Sequence, residues 1–96
     1  MRLQDDRTPE QRATHQYLVI GTDRFMSGWG KVDGGVSYAA WACEDYNAMK
    51  ECMEQVERRS DMRRVRDTID TPTAPYRPKG RGHCHIYVWR RGQRFN

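Results

Sequence analysis

Two kinds of apolar spacing divide this chain. Tyr17-Leu18-Val19-Ile20 is a short, unbroken apolar run rich in β-branched and aromatic residues, and it predicts a strand over about 16–21. Val36, Tyr38 and Trp41 carry a second strand over about 36–43, after the turn-forming Asp33-Gly34-Gly35. These two strands are expected to pair antiparallel. The spacing then changes. Met49, Cys52, Met53 and Val56 fall at i, i+3, i+4 and i+7, which predicts one amphipathic helix over about 44–59. Glu44 and Asp45 at its start and Arg58 and Arg59 at its end suit the helix dipole. A third strand is expected over 62–69 and a fourth over about 83–90. In the fourth, Cys84, Ile86 and Val88 alternate with His83, His85, Tyr87 and Trp89.

The pattern therefore predicts a single α+β domain over 15–96, preceded by a flexible N-terminal arm over 1–14. Its core is a four-stranded, mainly antiparallel sheet with one helix on one face, in the order ββαββ. One helix covers one face. Cys84, Ile86 and Val88 are expected to pack against Met49, Met53 and Val56. The other face would then display His83, His85, Tyr87 and Trp89, with some of Tyr17, Tyr38 and Trp41. An open sheet face with rings and arginines is the physical design of a base-stacking platform. Arg81-Gly82-His83-Cys84-His85-Ile86-Tyr87-Val88 resembles the RNA-recognition-motif signature, but with imidazoles at both ring positions and no second helix. The alternative is that the arm, or the loop around Trp29, folds over this face as a lid.

Between the first two strands lies Thr22-Asp23-Arg24-Phe25-Met26-Ser27-Gly28-Trp29-Gly30-Lys31. Phe25 and Trp29 exceed what a connecting turn requires, so Asp23, Arg24, Phe25, Trp29 and Lys31 are candidate binding residues. The stretch from Tyr17 to Gly30 resembles the opening of a family of small proteins encoded in tailed-phage genomes. Arg59-Ser60-Asp61-Met62-Arg63-Arg64-Val65-Arg66 and His83-Cys84-His85-Ile86-Tyr87-Val88 are similar to the same family, so the likeness spans about residues 17–88. The resemblance implies a phage origin and little chemistry.

Charge adds a second candidate surface. The 96 residues carry 17 basic and 13 acidic side chains, a net charge of +4. Residues 71–96 hold six basic residues and no acidic one, leaving 11 basic against 13 acidic residues elsewhere. Arginine predominates, which suits phosphate or carboxylate contacts. Arg63, Arg64 and Arg66 are expected to lie beside the basic C-terminal stretch on neighbouring strands, forming one positive patch. With His85, Tyr87 and Trp89 on the aromatic face, these complete the candidate binding residues.

Several classes are excluded or disfavoured. No apolar run approaches the roughly 20 residues of a membrane span. The start of the chain has no apolar signal region, and Cys43, Cys52 and Cys84 are an odd, widely spaced set. Reduced thiols and a host-cytoplasmic location are expected. In a strand, His83 and His85 point away from Cys84, so no metal site and no cofactor are expected. Gly28-Trp29-Gly30-Lys31 has the wrong spacing for a phosphate loop. The chain reads as a non-enzymatic binding protein that antagonises a host factor, such as a CRISPR or other defence component. Its partner is a host protein, a nucleoprotein complex or an anionic nucleotide. The alternative is a basic nucleic-acid-binding accessory protein.

Overall fold

A computed structural model describes residues 2–23, 36–78 and 82–95. The described chain is a single α+β domain with the elements β1 (Arg2–Asp5), α1 (Pro9–Thr14), β2 (Tyr17–Asp23), β3 (Val36–Cys43), α2 (Tyr46–Glu57), β4 (Met62–Ile69) and β5 (Gly82–Val88). The sheet has five strands in the order β1-β5-β3-β2-β4. It is mixed: β2 is antiparallel to β3 and β4, whereas β3 and β1 both pair parallel with β5. This corrects the expected four mainly antiparallel strands and single helix. The antiparallel pairing of β2 with β3 is as expected.

The unbroken apolar runs of β2 and β3 follow from their central positions. Leu18, Val19, Ile20, Ala40, Ala42 and Cys43 are all buried because both faces of these strands are covered. Val19, Ala39, Trp41 and Cys43 meet the helix stripe of Ala48, Met49, Cys52 and Val56. Asp45 caps α2 by accepting a 2.8 Å hydrogen bond from Ala48 N. On the opposite face, Leu18, Ile20, Ala40, Ala42, Cys84 and Ile86 form a second cluster with Tyr38 and Tyr76. The segment after β4 reaches this face. Asp70 N donates to Gln16 O at 2.8 Å, and Tyr76 N donates to Asp70 Oδ1 at 2.7 Å.

The stretch expected to precede the domain supplies β1 and α1. Thr8 and Gln11 form a reciprocal capping box around Pro9 at the helix start. β1 then adds an edge to β5, with Leu3 opposite Cys84 and Gln4 opposite His85. Arg7 locks the arrangement. Its guanidinium donates to both carboxylate oxygens of Asp5, to Asp70 Oδ2 and to His15 O, at 2.8–3.0 Å, with a side chain only 3% exposed.

Register overturns the expected packing of the last strand. Ala39 pairs with His85 and Trp41 with Tyr87, so these two rings share the helix side of the sheet with Trp41. Cys84 and Ile86 therefore lie on the side away from α2 and do not pack against Met49, Met53 and Val56. β4 and β5 are separated by β3 and β2, so Arg63, Arg64 and Arg66 do not flank the basic C-terminal stretch.

β4 itself carries a bulge. Ile20 pairs with Arg66 and Thr22 with Arg63, leaving Arg64 and Val65 opposite Gly21, and Arg64 takes φ of 54°. The bulge lets both Met62 and Val65 reach the helix-side core. Gly21 makes room for this. A Cβ there would stand 2.8 Å from Met62 Sδ.

Candidate binding groove

Among the sequence candidates, Arg24, Phe25, Trp29 and Lys31 lie outside the described residues, and Asp23 ends β2. Arg63, Arg64 and Arg66 are exposed on the edge strand β4, with the Arg66 guanidinium 5.6 Å from the Tyr38 ring centre on the far side of the sheet. His85 and Tyr87 lie together on β5, on the helix side. Trp89, expected on an open face with them, is 1% exposed and belongs to the helix-side core. The structure thus separates the expected surface into an arginine edge and an aromatic groove.

The groove forms because α2 packs over β2, β3 and β4 and leaves β5 and β1 beside it uncovered by that helix. Its volume is about 670 Å³, and Ala39, Trp41 and Tyr87 line it beside Arg59 and Phe95. Tyr87 stacks on His85 with centroids 3.9 Å apart and planes within 10°, and Trp41 stands 5.8 Å from Tyr87 at 23°. Phe95 meets Trp41 edge-on at 5.3 Å. The row of rings is clasped by charge at both ends. His85 Nε2 lies 2.8 Å from Asp6 Oδ2, and the Arg59 guanidinium lies 4.6 Å from the Phe95 ring centre. Asp61 holds Arg59 through two hydrogen bonds of 2.8 and 2.5 Å. Those bonds hold the Asp61 carboxyl below its ordinary value, against a smaller opposing effect of burial.

Three of these partners were not singled out from sequence as binding residues. Asp6 comes from the N-terminal stretch, Arg59 from the end of α2 and Phe95 from the tail after β5. Only the i, i+2 spacing of His85 and Tyr87 is local. Their stacking also changes the expected chemistry. One face of the Tyr87 ring is already occupied by imidazole, so β5 does not present the free ring faces of an RNA-recognition sheet. What remains accessible is the side of Tyr87, itself 38% exposed, beside a largely buried Trp41.

Nucleophilic and metal chemistry finds little support among the described residues. Ser37 Oγ and His83 Nε2 are 3.1 Å apart across β3 and β5, but no carboxylate among the described residues accepts a hydrogen bond from that imidazole. No group of three or more His, Cys, Asp or Glu residues among those described could hold a metal ion. All three cysteines are free and buried. Burial pushes the Cys84 thiol up to about 11, and a hydrogen bond with Cys43 together with burial raises that of Cys52. The native protein should therefore react with no equivalents of a thiol reagent such as Ellman's at pH 8, and with three after denaturation. A fast-reacting thiol in the folded state would overturn this reading of the core.

No family model, curated protein or solved structure matches the chain. No described helix is long and apolar enough to cross a membrane.

Proposed function

We propose that the chain is a non-catalytic binding protein of phage origin that antagonises a host factor, a CRISPR complex or a related defence component, in the host cytoplasm. The observation that supports this reading best is the groove itself. It gathers Trp41 and Tyr87 of the sheet with Arg59 from the end of α2 and Phe95 from the tail, and tryptophan, tyrosine and arginine are the residue types in which binding energy concentrates. The rings are preorganised by one another, so little side-chain freedom is lost on binding. The phage resemblance of residues 17–88 points to a host target.

The test is plaque formation on bacteria that carry an active defence system. Expressing the chain should restore plating of a targeted phage by orders of magnitude, and Tyr87→Ala should remove most of that rescue while the variant still unfolds cooperatively. Absence of rescue across a panel of defence systems would refute the antagonist reading.

A second reading, a nucleic-acid-binding accessory protein, is favoured by one observation. Arg63 and Arg64 stand exposed on edge strand β4 without an ion pair among the described residues. Edge arginines also discourage sheet-to-sheet association, which accounts for them without a ligand. Affinity for an oligonucleotide that falls with salt at a slope of about 0.7–0.9 per phosphate contact, and loses about two contacts' worth in Arg63→Gln/Arg64→Gln, would favour this second reading.

A further inference from the structure

We propose that the aromatic groove is a mononucleotide site, with the base against the exposed side of Tyr87 and the phosphate at Arg90. This names the ligand class of the groove and rests on the reading that the chain acts by binding. Size is the first argument. About 670 Å³ lies in the range of small-ligand sites, roughly 300–1,000 Å³.

The second argument is the balance of polar groups. Gln11 and Gln93 both line the groove, and each uses its side-chain oxygen within the protein, accepting from Thr8 N at 2.9 Å and Arg90 N at 3.1 Å. Their amide NH₂ groups have no partner among the described residues. Arg90 lines the same groove, exposed and without an ion pair among those residues. Asp6, the one carboxylate in the lining, is already engaged by His85 and by Gln4. The free polar groups are thus donors beside flat apolar rings. The complementary ligand is planar, rich in acceptors and anionic. A nucleobase carrying a phosphate has that combination, and an aliphatic phosphate lacks the ring.

Arg59 has a different part. Its bidentate bond to Asp61 cancels much of its charge, and its guanidinium stays near the Phe95 and Trp41 rings. It shapes the wall, and Arg90 supplies the anion contact.

The experiment is isothermal titration of the full chain with AMP, GMP, CMP and UMP, and with ribose 5-phosphate, adenosine and inorganic phosphate as controls. Binding of at least one nucleotide with Kd on the order of 10–100 µM is expected, as befits a ligand of this size in an open groove. Ribose 5-phosphate and adenosine should each bind at least ten-fold more weakly. Arg90→Gln should cost about ten-fold for nucleotides and nothing for adenosine. Tyr87→Leu, checked for a cooperative melt, should bring the nucleotide down to the affinity of ribose 5-phosphate. No binding of any nucleotide at millimolar concentration overturns the proposal, and so does equal affinity for ribose 5-phosphate or phosphate alone. Plaque rescue without nucleotide binding would remove this ligand and keep the antagonist role. Nucleotide binding without rescue would do the reverse.

Discussion

Arg7→Ala should destabilise the protein by about 3–5 kcal/mol, a large part of what a domain this size possesses. The substitution removes one guanidinium and leaves two carboxylates facing each other with little water, Asp5 at 10% and Asp70 at 16% side-chain exposure. It also leaves His15 O without its donor. In the parent, burial alone would raise the Asp5 carboxyl, but the hydrogen bonds and charge of Arg7 outweigh it and hold Asp5 below its ordinary 3.8. A depressed folded-state value stabilises the protein above the unfolded value. That stability is lost as pH falls below about 3.8 toward the folded value. Without Arg7, Asp5 keeps only the exposed Arg12, 3.5 Å away, so the effect of burial dominates, the sign reverses and the carboxyl becomes easier to protonate. The gap between parent and variant should therefore be widest near pH 7 and shrink below about pH 4. Urea titrations at both pH values measure this, and thermal melts should show a drop of at least about 12 °C at pH 7. A loss under about 1 kcal/mol at pH 7 would mean that β1 and α1 are held by backbone pairing alone.

The same residue explains what sequence can and cannot disclose here. β2 and α2 are legible because their signals are local: a run of adjacent apolar residues in one, a 3.6-residue stripe in the other. The capping box of α1 is equally local, written as Thr8-Pro9-Glu10-Gln11. β1 has no such signal. Leu3 is its one apolar residue, and what holds it is backbone pairing to β5 and an Arg7–Asp70 bond spanning 63 positions. The alternation of β5 is visible in the sequence, but which of its faces meets the helix depends on its register with β3, a contact across more than forty residues. That is why Cys84 and Ile86 were expected under α2 and lie instead beneath Tyr76 and its segment. For the groove, the pair His85 and Tyr87 could be seen from spacing. Its walls could not, since Asp6, Arg59 and Phe95 converge from the two ends of the chain and from the close of α2. Aromatic and arginine content marks candidates for a binding surface, and topology decides which rings remain at the surface.

Trp89 shows that decision most sharply, and its replacement carries the other large expected effect. Trp89→Ala should cost about 3–5 kcal/mol, the range for deleting a large buried ring. The indole is 1% exposed and packs 5.4 Å from Phe95, which in turn lines the groove and lies against Arg59. Loss of Trp89 should therefore reach the groove through Phe95, lowering both stability and ligand binding. Trp89→Phe separates packing from polarity. The buried indole Nε1 has no hydrogen-bond partner among the described residues, so the native side chain bears the cost of an unsatisfied donor, about 1–3 kcal/mol. Phenylalanine removes that cost while leaving a smaller cavity than alanine. The two effects oppose one another, and Trp89→Phe should stay within about 1.5 kcal/mol of the parent. Urea midpoints of the three proteins, read with the groove affinity of each, make the comparison. If Trp89→Phe is as damaging as Trp89→Ala, the indole N–H has a partner in the folded protein and this position is a polar anchor. If Trp89→Ala folds as stably as the parent, the ring is not core, and the inward placement that distinguishes it from Tyr87, two residues earlier in β5, is wrong.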